Sequence, residues 1–182
     1  MKYYLARMRA KDACPPQKPM THIFWSGLGS FMAIILMSIY SKEMPFGQTD
    51  GVFLIGSFGA SAVLLYGAPD AICSQPRNLV GGHVVSAVVG VTVFLVMGQF
   101  AGLASALAVS LSIVAMHLTR TMHPPGGATA LIAVIGGSEI HQLGYVYVLS
   151  PVLIGALIML LVALLINNLS SNDKRHYPTY WY

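Results

Sequence analysis

Charged residues are scarce in this sequence. Only 9% of its 182 residues are Asp, Glu, Lys or Arg, whereas 55% are hydrophobic. A soluble domain carries about 25% charged residues, so the chain lacks the polar surface of a water-soluble enzyme. Two cysteines, Cys14 and Cys73, are too few for a disulfide scaffold. The hydrophobic content also excludes a disordered chain, and the composition therefore predicts an integral membrane protein of one domain.

Several motifs of enzymes and cofactor sites are absent as well. The sequence has no H-E-x-x-H, no C-x-x-C and no Walker-type glycine loop. His117 and His123 are six residues apart, which does not align them on one helix face for a metal ion. All six carboxylates fall in loops or tails. We therefore expect no enzymatic activity, no cofactor and no metal, and the lack of basic runs interleaved with aromatic residues argues against a nucleic-acid partner.

Six apolar segments follow one another along the chain. Four are long, at 22–40, 79–97, 99–118 and 145–166, and each approaches the roughly 20 residues that a helix needs to cross a bilayer. Two are shorter and rich in small residues, at 51–68 and 124–137. The sequence thus divides into a basic N-terminal segment (1–21), a transmembrane domain (22–168) and a basic, aromatic tail (169–182) that we expect to lie at headgroup level.

The two short segments resemble each other. Gly59-Ala60-Ser61-Ala62 recurs 68 residues later as Gly127-Ala128-Thr129-Ala130. Three segments per half is an odd number, so the second half is inverted if every segment crosses. We therefore predict an all-α membrane protein with two inverted three-segment repeats, at about 22–97 and 99–168, each with a short half-helix in the middle. Four crossing helices with two re-entrant half-helices are the alternative.

The basic residues predict an orientation. With six crossings and a cytoplasmic amino terminus, nine of the ten Lys and Arg residues lie on the cytoplasmic side, and only Lys42 lies outside. With four crossings, Arg77 and Arg120 would also move outside. The positive-inside rule favours six crossings with both termini in the cytoplasm. The expected location is the bacterial inner membrane.

The start of the second short segment has the features of an anion site. Pro124 and Pro125 favour the first turn of a helix that runs to about residue 135 and is roughly 15 Å long. Such a start presents free N–H groups and the positive end of the helix dipole. Gly126 and Gly127 permit close approach of a ligand, and Thr129 adds a hydroxyl.

The first half contains an equivalent helix start. Ser57, Gly59 and Ser61 occupy the matching positions, and the inverted repeat would make the two helix starts face each other near the bilayer midplane. The ionisable and amide residues nearby complete the candidate site: Arg77, Asn78, His83, Arg120 and His123. Arg77 can bind an oxyanion through two N–H groups, although a positive-inside role is the competing interpretation. His83 and His123 are ionisable near neutral pH, and ionisable residues inside membranes usually face a cavity.

The sequence His123-Pro124-Pro125, followed by Gly-Ala-Thr-Ala-Leu, resembles the signature of the HPP family of integral membrane proteins. The similarity extends to residues 57–61, 75–78, 81–83 and 167–169 and to the terminal Tyr-Pro-x-Tyr-Trp. Gly126 stands where the signature often has alanine, and the family is often described with four transmembrane segments. Members in chloroplasts and cyanobacteria are associated with nitrite transport.

The resemblance therefore implies a transporter or channel for a small inorganic anion, with nitrite as the leading candidate and the lipid bilayer as its environment. A structural or assembly protein without a substrate is one alternative. An intramembrane enzyme centred on His123 and Arg120 is another. The prevalence of two-fold assemblies favours a homodimer if the protein is oligomeric.

Overall fold

The computed structural model describes residues 4–5, 7–8, 10, 12–42, 56–172 and 175–182. Residues 51–55, the beginning of the first short segment, lie outside this part of the chain. The same applies to four basic residues of the orientation count and to three of the carboxylates assigned to loops or tails, namely Lys2, Arg9, Lys11, Lys174, Glu43, Asp50 and Asp173.

Within the described ranges the chain is helical and has no strand. The α-helices from Met20 onward are, in chain order, α1 (Met20–Lys42), α2 (56–62, continuing as a π-helical turn, Val63–Gly67), α3 (Pro76–Met97), α4 (Ala101–Thr119), α5 (Pro124–Ile135), α6 (Ser138–Leu143) and α7 (Ile154–Leu169, preceded by a π-helical turn, Val148–Leu153). A short 3₁₀ turn, Ile72–Ser74, precedes α3.

Four of these helices can cross a membrane. These are α1, α3, α4 and the continuous stretch Val148–Leu169, with 19 to 23 residues each. At 1.5 Å per residue they are about 29–35 Å long, close to the thickness of the hydrocarbon layer. Large apolar side chains such as Phe31, Leu103 and Leu161 are exposed on their outer faces. The four long apolar segments of the sequence are therefore confirmed as helices of membrane-spanning length.

Proline and a left-handed residue set the helix boundaries around α5. Pro124 and Pro125 occupy its first turn, as the sequence predicts, and its 12 residues give a length of about 18 Å. The preceding helix, α4, ends because Arg120 adopts a positive φ of 58°. The Arg120 N–H then bonds to the His117 carbonyl, and the Thr121 N–H bonds to the Met116 carbonyl. This C-terminal turn directs the chain from α4 into α5.

Several helix ends meet at one end of the bundle. Arg77 at the start of α3 donates from Nη2 to the Thr119 carbonyl at the end of α4, at 2.9 Å. Arg175 donates from Nη1 to the His22 carbonyl in α1 at 3.0 Å and from Nη2 to Asn167 Oδ1 in α7 at 2.7 Å. We call this the basic end. Because α1 and α3 both begin at the basic end, the chain comes back to this end through α2.

The short helices occupy matching positions in the packing. Helix α2 packs between α1 and α7, where Phe58 contacts the cluster of Met37 and Met159. Helix α5 packs between α3 and α4, with Ala130 beside Ala104. Two close approaches depend on glycine. A Cβ at Gly90 of α3 would lie 2.5 Å from the Ala130 carbonyl oxygen, and a Cβ at Gly155 of α7 would lie 2.5 Å from the Phe58 ring. Helix α3, which follows α2, therefore packs on α5, and α7, which follows α5, packs on α2.

Candidate functional site

Five of the predicted site residues meet inside the bundle. They come from α2, α3, α5 and the residue that precedes α5, and each is at most 1% exposed: Ser57, Ser61, His83, His123 and Thr129. Glycine allows this convergence, since a Cβ at Gly82 would overlap the His123 side chain. The N-terminal halves of α2 and α5 lie side by side, so that the hydroxyls of Ser61 and Thr129 reach the two imidazole rings.

These side chains form one continuous run of hydrogen bonds. Ser61 Oγ lies 2.8 Å from His83 Nε2 and 2.9 Å from His123 Nε2. His83 Nδ1 lies 2.7 Å from Thr129 Oγ1, which in turn lies 2.8 Å from Ser57 Oγ. At the other end, His123 Nδ1 lies 2.7 Å from the carbonyl oxygen of Cys73. We call the five side chains together with this carbonyl the histidine chain.

The partners assign the protons of the neutral histidine chain. A carbonyl oxygen only accepts, so His123 Nδ1–H donates to Cys73 and His123 Nε2 accepts from the Ser61 hydroxyl. Ser61 Oγ then accepts from His83 Nε2–H, and His83 Nδ1 accepts from the Thr129 hydroxyl. Ser57 completes the run by donating to Thr129. With both rings neutral, every hydrogen bond points towards Cys73.

The start of α5 offers fewer backbone donors than the sequence predicts. Pro124 and Pro125 have no N–H, and the Gly126 N–H already donates to the His123 carbonyl at 2.8 Å. The two short helices also overlap side by side rather than facing end to end, because Ser57 Oγ lies 3.3 Å from the Pro125 carbonyl. The start of α5 therefore leaves fewer free backbone N–H groups for an anion than two opposed helix starts would present.

The predicted glycines differ in their surroundings. A Cβ at Gly126 would lie 2.7 Å from Ser86 Oγ and 2.8 Å from the Gly82 carbonyl oxygen, so this glycine sets the spacing of α3 and α5. By contrast, no neighbouring group lies within 4 Å of a Cβ at Gly59, and the nearest one to a Cβ at Gly127 is Val109 Cγ1, at 3.8 Å. A side chain at Gly59 or Gly127 would therefore not meet the histidine chain.

The other three predicted site residues lie apart from the histidine chain. Arg77, Asn78 and Arg120 line a pocket of about 570 Å³ at the basic end. The remaining lining residues are Ile72, Met116, His117, Met122, Tyr180 and Tyr182. None of these lining residues, all within the described ranges, is acidic. We call this cavity the basic pocket, and the single site expected from the sequence thus divides into two.

The basic pocket and the histidine chain adjoin each other. Asn78 Nδ2 donates to the carbonyl of Met122 at 2.8 Å, and Met122 immediately precedes His123. Arg77 is held in place at the same level, because its Nη2 and Nε donate to the carbonyls of Thr119 and Arg120 at 2.9 and 3.3 Å. These bonds cap the negative end of the α4 dipole and leave other guanidinium N–H groups for a ligand.

Sequence reasoning missed the role of the tail. The sequence predicts an interfacial tail, and the structure adds that two of its residues, Arg175 and Tyr177, are 0% and 1% exposed and pack within the protein. Arg175 donates to four acceptors, on α1, α2 and α7, and burial lowers the pKa of its guanidinium. Tyr177 donates to the Ser74 carbonyl at 2.8 Å, and burial raises the pKa of its phenol. The tail residue Tyr182, by contrast, is exposed.

Two further polar residues border the histidine chain. The Tyr147 hydroxyl donates to the Thr129 carbonyl at 3.0 Å, and Ser86 Oγ is buried without a hydrogen-bond partner. Neither stood out in the sequence, because tyrosine and serine are unremarkable within an apolar helix. The Cys73 carbonyl was likewise invisible, since a backbone group carries no sequence signal.

Comparison with known proteins agrees with the HPP resemblance. Residues 15–178 match the family described as "HPP, transmembrane region". Two transmembrane proteins of Dictyostelium discoideum are similar to this chain: one is 44% identical over 98% of the chain and 57% of the relative, and the other is 46% identical over 94% and 60%. The chain thus spans less than two thirds of the length of these relatives. No solved structure matches it. The chain belongs to the HPP family of integral membrane proteins.

Proposed function

We propose that this protein transports a small inorganic anion, with nitrite as the leading substrate. One observation supports the proposal most directly. The basic pocket, with its two arginines, adjoins the buried and ionisable histidine chain, and the hydrogen bond from Asn78 to the Met122 carbonyl joins them. Ionisable residues inside a membrane domain usually mark an ion pathway. The choice of nitrite rests on the family resemblance rather than on the pocket's shape.

The basic pocket suits a bent, singly charged oxyanion. Arg77 and Arg120 supply positive charge and N–H donors, and a guanidinium can hold two oxygens at once. Two backbone carbonyls fix the orientation of Arg77 before an anion arrives. The pocket is open to solvent, since Arg120 and Tyr182 are exposed. Transport requires that such a site attract the anion and also release it.

We also propose that the two halves are inverted repeats with six crossings. The packing supports this, because exchanging α1, α2 and α3 with α4, α5 and α7 reproduces the same pairs of neighbours. Helix α1 packs on α2 as α4 packs on α5, and the crossed contacts of Gly90 and Gly155 correspond. We place the basic end in the cytoplasm by the positive-inside rule, with Lys42 at the far end of α1.

A second function, that of a structural membrane protein, is favoured by the tight packing of the histidine chain, whose side chains are almost fully buried. Enzymatic activity is not part of the proposal. The contact between Cys73 and His123 uses the carbonyl rather than the thiol, and no acidic residue of the described ranges is hydrogen-bonded to the histidine chain. Measurement of uptake separates transport from a structural role.

The test is anion uptake into proteoliposomes, comparing nitrite, nitrate, formate and bicarbonate. Replacing Arg120 with glutamine removes one charge-assisted contact, worth about 1.5–3 kcal/mol, and should raise the half-saturating nitrite concentration about tenfold or more. Lys42→Gln, which removes an exposed charge from the opposite end, should leave it unchanged. Absence of uptake for all four anions, or equal half-saturating nitrite concentrations for wild type and Arg120→Gln, would refute the proposed site.

A further inference from the structure

We propose that the histidine chain holds a single exchangeable proton and passes it between His83 and His123 through the Ser61 hydroxyl. Coupling of this proton to the anion in the basic pocket rests on the proposed function, whereas the proton site itself does not. The proton comes from water and returns to water, so no other reactant takes part.

The protonated state needs only two hydroxyl groups to turn. A proton added to Nδ1 of His83 makes that nitrogen a donor to Thr129 Oγ1, across the same 2.7 Å. The Thr129 hydroxyl then turns to Ser57 Oγ, 2.8 Å away, and the Ser57 hydroxyl turns to the Pro125 carbonyl, at 3.3 Å. Every donor keeps an acceptor in both states, which a buried network must satisfy to be stable.

Transfer between the rings takes two short steps within existing hydrogen bonds. The proton on His83 Nε2 moves to Ser61 Oγ over 2.8 Å, while the Ser61 hydroxyl proton moves to His123 Nε2 over 2.9 Å. His83 is then neutral with its proton on Nδ1, and His123 is the imidazolium, bonded to Ser61 and to the Cys73 carbonyl. No bond breaks other than those to the transferred protons.

The surroundings limit the site to one positive charge. The ring centroids of His83 and His123 are 4.9 Å apart, so two imidazolium ions would repel each other strongly. The groups facing the rings are the hydroxyls of α2 and α5, the Phe58 ring, Ser86 of α3, Tyr147 through Thr129, and Cys73 through its carbonyl. Within the described residues, none of these is a carboxylate.

An added proton therefore has no fixed counter-charge, and an anion in the adjoining basic pocket can supply one. Proton and anion then favour each other's binding by an equal amount. Moving the two together also carries no net charge, whereas an anion alone works against a membrane potential that costs about 2.3 kcal/mol per 100 mV. The geometry thus points to proton-coupled rather than passive anion transport.

The proton site can be tested without any anion. Nitrogen NMR of histidine-labelled protein in bilayers should show opposite neutral tautomers, with the proton on Nδ1 of His123 and on Nε2 of His83. His83→Gln and His123→Gln assign the two signals. Lowering the pH in steps until the protein unfolds should convert one ring per molecule, and not both, into an imidazolium. Identical tautomers, two rings that stay neutral until the protein unfolds, or two rings that are protonated together would overturn the proposal.

Coupling is tested in proteoliposomes that contain a pH-sensitive dye and receive an inward nitrite gradient. Protein-free vesicles correct for diffusion of the undissociated acid. Nitrite entry should acidify the lumen, and Ser61→Ala should abolish most of the acidification per nitrite that enters, because the two rings lose the hydroxyl that connects them. The matched control is Ser112→Ala, because Ser112 is equally buried but bonds only within α4.

The outcomes separate the two proposals. Nitrite entry without luminal acidification overturns the coupling but leaves anion transport standing, and so does a ratio that Ser61→Ala does not change. Absence of nitrite entry refutes anion transport, and the tautomers and protonation measured by NMR then decide the proton site alone.

Discussion

Replacing Arg175 with lysine should destabilise the protein strongly, although the charge is kept. The guanidinium donates to the His22 carbonyl, Ser26 Oγ, the Tyr66 carbonyl and Asn167 Oδ1, at 2.7–3.1 Å. These acceptors lie on three different helices. An ammonium group directs its three N–H bonds from a single atom and cannot reach all of them. We therefore expect the lysine variant to lose at least two of the four hydrogen bonds.

The size of the effect follows from what each acceptor retains. A hydrogen bond to a charged group contributes about 1.5–3 kcal/mol. The Ser26 hydroxyl has one hydrogen and lies 2.8 Å from the His22 carbonyl and 2.7 Å from the Tyr66 carbonyl, so it keeps one of the two paired when Arg175 is lost. This lowers the expected loss to about 2–4 kcal/mol. For a protein of this length, about 2–4 °C of melting temperature corresponds to 1 kcal/mol, which gives a decrease of about 4–16 °C.

The measurement is thermal unfolding of the detergent-solubilised protein followed by tryptophan fluorescence. Trp181 lies six residues after Arg175 in the tail and reports on its detachment, and Trp25 lies on α1. Arg120→Lys is the matched control, since Arg120 is exposed and the same exchange there should change the melting temperature by less than about 2 °C. Equal melting temperatures for the two variants would show that Arg175 does not hold the helices together.

Two further changes test the packing around the histidine chain. Gly126→Ala should lower the free energy of unfolding by about 1–3 kcal/mol, because the new methyl would meet Ser86 Oγ and the Gly82 carbonyl. Adding Ser86→Ala should recover part of the melting temperature. An unchanged melting temperature in the single variant would contradict the observed spacing. Tyr147→Phe should lower the free energy of unfolding by about 1 kcal/mol, because it removes the donor to the Thr129 carbonyl. A variant as stable as wild type in chemical denaturation would refute this contribution.

The sequence predicts the long helices well but their boundaries less well. Apolar run length locates α1, α3 and α4 because the bilayer imposes that length directly. Helix α3 begins at Pro76 rather than at residue 79 because Arg77 and Asn78 are polar yet helical: their side chains bond to carbonyls of the α4–α5 turn. Hydropathy excludes such residues from a span, since it registers their polarity and not their partners.

The candidate residues were predictable, but their grouping was not. Helical periodicity gives the face on which Ser57 and Ser61 lie, yet it contains no information on the register of α2 against α5. That register decides whether two helix starts face each other or overlap. The overlap brings Thr129 to Ser57 and His123 to Ser61, and it leaves Arg120 outside, at the basic end.

The partners of Arg77 and Arg175 explain why the sequence does not predict where these side chains lie. Arg77 and Arg175 bind backbone carbonyls near helix ends, and a carbonyl partner leaves no trace in the sequence, whereas a carboxylate partner would appear as an opposite charge. The distinction has a physical consequence. A carboxylate would cancel a guanidinium's charge, but the end of a helix dipole carries only about half an elementary charge. The basic end therefore keeps a net positive potential, and an arginine that is structurally occupied, such as Arg77, still attracts an anion to the basic pocket.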